Sequence, residues 1–253
     1  MVNTKKNNLA AIVTVRALST RLEKKCFQKI FQELSMIELV IARAKKIGFR
    51  VIVATSEDCS DDEVAIIAQN NNVDIYRGSL LNKIHRWHSC FEKYSLDYAM
   101  LIDADDPTFS FSLAKDALNK LISDNNDSVK GSDDLLPGLI TLGFSANGMK
   151  KLFSTASDYN TDTDVIDVFL DRADLRYSKV HPRSEHEFLA DIRLTVDYEE
   201  DLNFYQSLFN KVSYLEDSSI IVKAIKDNNL SIINWFRNQE FKNNQADFNK
   251  RVK

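Results

Sequence analysis

Arg16, Ser19, Thr20, Arg21, Lys24 and Lys25 fall within ten residues, directly behind the short apolar run Ala10–Val15. Cations and hydroxyls at that density can surround a polyphosphate. An arginine fork pairs two phosphate oxygens at once, and fixed positive charge stabilises a departing pyrophosphate. The stretch Arg16–Lys25 has no glycine, so it is neither a Walker loop nor a Gly-x-Gly-x-x-Gly turn. By composition alone it also reads as a solvated basic loop. Asp103, Asp105 and Asp106 close a second apolar run, Tyr98–Ile102, and Pro107 ends it. Magnesium takes one or two carboxylates together with substrate phosphates, so this cluster is a candidate metal site; the alternative is a Pro-terminated turn with Asp capping the next helix. A further carboxylate, Asp197, closes Ile192–Val196, and Glu199 and Glu200 behind it favour the start of a helix.

The elements that must position these groups alternate. Ala10–Val15, Phe49–Ala54, Val73–Tyr76 and Tyr98–Ile102 read as buried strands. Between them Met36–Ile47 carries an apolar helical stripe stopped by Gly48, and Asp61–Asn70 and Lys83–Tyr94 read as helices. Ser112–Ile122 is the helix after the acidic cluster. Strand–helix alternation implies a mostly parallel sheet with right-handed crossovers, and ligands of such sheets lie beyond the carboxyl ends of the strands. That rule places the basic loop and the carboxylates on one edge. The second half is less regular: Leu139–Phe144 and Ile192–Val196 are expected strands, and Ala146–Phe153, Val165–Leu170 and Glu199–Phe209 are expected helices. Ser218–Asp227 reads as a helix capped by its Ser.

With 253 residues, 44% of them apolar, the chain can bury a proper core. No repeat or Pro/Gly/Ser linker divides it, so residues 1–236 are read as a single domain and 237–253 as a polar tail. The net charge of −4 and the absence of a basic stripe argue against a nucleic-acid groove. No stretch is long enough to span a membrane. Cys26, Cys59 and Cys90 are odd in number and far apart, which suits reduced thiols, and the protein is read as cytoplasmic. His85 and His88 share a helical face, but with no fourth ligand the segment reads as an amphipathic helix, with Trp87 and Phe91 in the core.

The segment Val13–Leu22 resembles the signature loop of the CMP-sugar synthetase superfamily, which comprises CMP-Kdo synthetases, acylneuraminate cytidylyltransferases and spore-coat-polysaccharide cytidylyltransferases. Its loop runs Arg-x-x-Ser-x-Arg-Leu-Pro-Gly-Lys, here with Glu23-Lys24 in place of Pro-Gly. Three more segments match. Asp105-Asp106-Pro107 fits Asp-x-Pro; Arg193-Leu194-Thr195-Val196-Asp197-Tyr198-Glu199-Glu200-Asp201-Leu202 is similar to Arg-Leu-Thr-Val-Asp-Thr-Pro-Glu-Asp-Leu; and Tyr76-Arg77-Gly78-Ser79 with Arg86 is similar to Phe-Arg-Gly-Ser…Arg. The resemblance implies that Arg16, Ser19, Arg21 and Lys25 contact CTP phosphates, that Arg86 lies near the nucleotide, and that Asp105 and Asp197 hold Mg2+. Arg16, Lys25, Asp105 and Asp197 are then the catalytic group.

The implied fold is an α/β Rossmann-like nucleotide-diphospho-sugar transferase (GT-A-like) fold with a mixed, mostly parallel central sheet. The implied reaction joins CTP to a small acidic, ulosonic-acid-type sugar, giving a CMP-sugar and pyrophosphate for surface polysaccharide synthesis, in a homodimer. On the sugar side the chain departs from the pattern. Acids of the spore-coat type become apolar in Pro137–Leu142, and an Arg and a His are lost in Asp162–Ile166. Two other readings follow: a GT-A glycosyltransferase using Asp103-Ala104-Asp105 as its Asp-x-Asp motif, or a degenerate nucleotide-binding relative.

Overall fold

The computed structural model describes residues 7–18, 22–238 and 240. Its centre is a seven-stranded sheet in the order β5-β4-β1-β6-β8-β7-β9. The strands are β1 (Leu9–Thr14), β4 (Arg50–Ser56), β5 (Asp74–Gly78), β6 (Tyr98–Asp103), β7 (Ser128–Gly131), β8 (Leu142–Ser145) and β9 (Tyr177–Val180). A separate antiparallel pair, β2 (Lys29–Phe31) and β3 (Leu34–Ser35), follows the basic loop. Strands β5, β4, β1 and β6 are parallel, β8 runs antiparallel to β6 and β7, and β7 pairs with β9 in parallel. The sheet is therefore mixed and mostly parallel, as the alternation predicts.

Both faces of this sheet are covered, which is why its strands read as continuous apolar runs. Side chains alternate across a strand. Ala11, Val13, Val51, Val53, Met100 and Ile102 enter one core with α1 (Met36–Lys45), α4 (Phe111–Asp124), α7 (Glu199–Phe209) and α8 (Ser218–Asp227). Ala10, Ile12, Ile52, Ala54, Ala99 and Leu101 enter the other, with α3 (Lys83–Tyr94), α5 (Ala146–Ser154) and α6 (Asp167–Arg172). Trp87 and Phe91 belong to this second core. The remaining helix, α2 (Asp62–Asn70), connects β4 to β5.

Helix starts follow local capping chemistry. Ser35 and Glu38 form a capping box on α1, and Gly48 leaves that helix at φ 85°, a conformation open to glycine. Asn82, Ser110 and Ser145 accept from the first-turn amides of α3, α4 and α5.

Four expectations are corrected. Ile192–Val196 is not a strand of the sheet; β8 pairs only with the amino half of β6, Tyr98–Met100, and the segment meets the turn beyond the carboxyl end of β6 through a single backbone bond, Val196 N donating to Asp105 O at 2.8 Å. The strand expected at Leu139–Phe144 is confined to Leu142–Ser145, because Gly138 turns at φ 87° and the Leu139 carbonyl accepts from Ser110 N. Helix α6 begins at Asp167, two residues beyond the expected start. Asp217, not Ser218, occupies the N-cap position of α8 and makes no side-chain cap there; the Ser218 hydroxyl turns to Glu187 and Ser110.

Candidate active site

In the order β5-β4-β1-β6, successive strands run outward from β1 in one direction and the chain then returns to its other side at β6. This reversal makes a crevice between the carboxyl ends of β1 and β6, where open α/β sheets bind ligands. The basic loop leaves β1 and Asp103–Asp106 leaves β6, so both candidate motifs open onto that crevice.

Lys25 joins them. Its Nζ lies 2.7 Å from Asp105 Oδ2 and 3.2 Å from Asp197 Oδ1. Burial alone would lower the pKa of this lysine, but the carboxylates of Asp105 and Asp197 reverse the effect and hold it above its ordinary value. The preceding residue, Lys24, takes φ 48° and ψ 38°. The left-handed bend is thus kept at the position where the resembling loop has glycine, and a lysine supports it.

Asp197 is fixed from behind. Arg193 Nη2 donates to Asp197 Oδ2 at 2.9 Å and Arg193 Nε to Asp201 Oδ1 at 2.9 Å. Asp201 Oδ2 accepts from Asp197 N at 2.8 Å and Tyr198 N at 3.0 Å, and Asn234 Nδ2 donates to Asp201 Oδ1 at 2.9 Å. One buried carboxylate therefore orients the loop, its arginine and the first turn of α7. With Val196 N on the Asp105 carbonyl, the two aspartates are tied together through backbone as well as through Lys25.

Asp103, Asp105 and Asp106 can each present an oxygen within 4.8 Å of the others, and they titrate apart. Burial, then the charge of Asp105, lifts Asp103 to about 6. Burial and both neighbours raise Asp106 further above the ordinary carboxylate value. For Asp105 burial acts in the same direction but the Lys25 ammonium outweighs it, so this group stays ionised. Asp105 and Asp197 are hard oxygen donors with a positive charge already between them, a donor set that fits a divalent cation such as Mg2+.

The other expected residues are distributed differently. Arg16 is directed to the far wall: Nη2 pairs with Asp164 Oδ1 at 2.8 Å and Nη1 donates to Leu80 O at 3.4 Å. Arg86 is buried behind it and donates to Ser79 O at 2.5 Å; burial, then the charge of Arg16, pulls its pKa down to about 10. It braces the Gly78–Leu81 turn beneath Arg16. Ser19 and Arg21 lie outside the described residues.

Three further groups shape the site; Asp201 lies within the matched motif but was given no role there, and Asp61 and Asp164 escaped the sequence. Asp61 is buried and accepts from Ala17 N at 2.6 Å, Thr55 Oγ1 at 2.8 Å and Ser56 N at 2.8 Å, pinning the start of the basic loop to the end of β4. As a sequence feature it is only an acid before a helix. Asp201 could have been found as the acid four residues beyond Asp197 in a helix's first turn. Asp164 had no signal: a strap over 156–164 carries it to Arg16, held by Asn82 Nδ2 on the Ala156 and Asp158 carbonyls and by Lys83 N on Thr163 Oγ1.

The mixed, mostly parallel seven-stranded sheet is that of the nucleotide-diphospho-sugar transferase fold. Residues 10–221 match the sequence profile of the cytidylyltransferases, and the chain belongs to that family. It is a CTP-utilising nucleotidyltransferase. An uncharacterised protein of Methanocaldococcus jannaschii is 26% identical over 204 residues, 79% of this chain and 82% of that protein. A cytidylyltransferase of Leptospira borgpetersenii superimposes with a TM-score of 0.78 at 20% identity, over 90% of this chain and 98% of its own. A CMP:2-keto-3-deoxy-manno-octonic acid synthetase complexed with CTP gives 0.60 at 12% identity, over 81% and 99%. At these identities the structural likeness is one of fold.

Proposed function

We propose that the chain joins CTP to an acidic, ulosonic-acid-type sugar, releasing pyrophosphate and supplying a CMP-sugar for surface polysaccharide synthesis. The observation that carries the reading is the convergence of Asp105 and Asp197, ninety-two positions apart, on the single ammonium of Lys25 at the sheet's switch point. The acceptor hydroxyl oxygen attacks the α-phosphorus of CTP in line, its proton passing to solvent, and the bond to the pyrophosphate oxygen breaks. Arg16 and Lys25, with Ser19 and Arg21 of the same loop, bind the polyphosphate and stabilise the charge of the leaving group. Asp105 and Asp197 hold Mg2+, which when bound neutralises phosphate charge. Asp201 and Arg193 orient Asp197, and Asp61 sets the take-off of the basic loop. Positioning and charge stabilisation supply most of the rate.

The supporting setting is a cytoplasmic one. No described helix is long and apolar enough to cross a membrane. Assembly as a homodimer follows from the resemblance, and Phe188 and Leu189 are among several large apolar side chains left exposed. Sedimentation of wild type against Leu189→Glu tests that assembly.

The test of the reaction is pyrophosphate release across the four NTPs and a panel of ulosonic acids, for wild type and Asp105→Ala. CTP-specific release, lowered by about 10² or more in the variant, is expected. Robust turnover by Asp105→Ala overturns the assignment, and preferential binding of an intact nucleotide-sugar over CTP points instead to glycosyl transfer through Asp103-Ala104-Asp105.

A further inference from the structure

Lys25 occupies the position between Asp105 and Asp197 that a bridging cation would take. It begins a short 3-10 turn, Lys25–Phe27, directly after the left-handed Lys24, and only 15% of its side chain is exposed. Each of its carboxylate partners comes from a different loop, one behind β6 and one ahead of α7. Asp197 is already compensated on its second oxygen by Arg193, itself bound to Asp201. Lys83 adds positive potential at Asp103 and Asp105 from the start of α3. A divalent ion brought to Asp105 and Asp197 would therefore meet Lys25 at close range, where like charges repel strongly in a partly buried setting.

The arrangement has one natural exit. Lys25 ends the basic loop, and a polyphosphate seated on that loop offers phosphate oxygens to the Lys25 ammonium in place of those of Asp105 and Asp197. We propose that Lys25 is the resident counter-cation of the site, so that nucleotide and divalent cation bind as a coupled pair: phosphate draws the ammonium off the two carboxylates as the metal takes its place. The inference rests on the reading of Asp105 and Asp197 as metal ligands and goes beyond it, because it assigns Lys25 an inhibitory role toward metal in the nucleotide-free enzyme. The coupling is reciprocal, so the metal must equally promote nucleotide binding.

The experiment is Mn2+ binding followed by its paramagnetic resonance signal, on wild type, Lys25→Met, Lys25→Gln and Asp105→Asn. Each is measured without nucleotide and with a methylene-bridged, non-hydrolysable CTP analogue, correcting for Mn2+ held by the analogue in solution. Without nucleotide, Lys25→Met is expected to bind Mn2+ about tenfold or more tighter than wild type, and Lys25→Gln to move in the same direction. The analogue should raise the Mn2+ affinity of wild type by a larger factor than that of either Lys25 variant. Asp105→Asn should lose Mn2+ in both states.

Nucleotide-free Mn2+ affinity equal to or weaker than wild type in a folded Lys25 variant overturns the proposal. Should both variants fail to fold, wild type alone decides: an analogue that binds without raising Mn2+ affinity overturns it. A wild type that binds the analogue, seen by calorimetry, yet no Mn2+ in either state removes the metal assignment and this inference with it. A wild type that binds Mn2+ but not the analogue removes the nucleotide assignment instead.

Discussion

Asp103 ends β6 at a position where the resembling enzymes usually carry Thr or Gln, and it has a measurable consequence. Its pKa is about 6 when folded against an ordinary 3.8, so the folded protein holds this proton more tightly than the unfolded chain. The sign follows directly: the folded state gains from protonated Asp103 below about pH 4, and that gain is lost as pH rises through about 6. Asp105 has the opposite sign, because its depressed pKa removes stability only as pH falls below its ordinary value. Thermal melts in EDTA between pH 4 and 7 should therefore fall more steeply for wild type than for Asp103→Asn. Equal slopes would mean that Asp103 does not titrate in that window. At this scale the resemblance singled out Asp105, Asp197 and Lys25, and the structure brings the three side chains together. Asp61 and Asp164 act through partners 44 and 148 positions away and had no local signature.

Among the elements, α5 shows how closely secondary structure can be pressed together at a glycine. A Cβ on Gly148 would stand 1.9 Å from the Asp127 carbonyl oxygen. Ser145 N donates to that same carbonyl at 3.0 Å and ties the start of α5 to β7. A methyl group there must push helix and strand apart. Gly148→Ala should cost about 1–3 kcal/mol, the usual range for overpacking, read as a lower denaturation midpoint. Ser145 faces Tyr98 at the amino end of β6, opposite the catalytic edge, so kcat of the folded fraction should be unchanged. A fall in kcat with full stability would contradict this placement. The elements legible in the sequence were β1, β4, β5 and β6, the helices between them, and α4, α5, α7 and α8 beyond them. Strands β7, Ser-Val-Lys-Gly, and β9, Tyr-Ser-Lys-Val, are four residues each and half polar, and β2 and β3 are shorter still. What makes them strands is pairing with neighbours, not their own pattern.

For the whole molecule, Arg43 is the clearest long-range fastener. It is fully buried in α1, and Nη1 donates to the carbonyls of Tyr214 and Glu216 at 2.5 and 2.7 Å. Nη2 donates to the Phe109 carbonyl at 2.5 Å, and the guanidinium carbon lies 5.5 and 5.4 Å from the centres of the Phe109 and Phe111 rings. Burial lowers its pKa to about 10, still well above neutrality, so the cation persists at working pH. One side chain thus connects α1, the segment behind the acidic turn and the approach to α8. Arg43→Met would leave three carbonyls without this donor and should lower unfolding free energy by about 3 kcal/mol or more, measured by chemical denaturation. A loss below about 1 kcal/mol would show that water replaces the guanidinium.

The sequence by itself determined the parallel half of the sheet and the single edge on which the basic loop and the two acidic motifs meet. Burial on both faces and short-range capping write those features into local residue patterns. Only the tertiary structure decided that Ile192–Val196 stays outside the sheet, that Lys25 bridges Asp105 and Asp197, and that Asp164 holds Arg16. Those outcomes depend on where chain crossings bring backbone and charged groups together, which no one segment encodes.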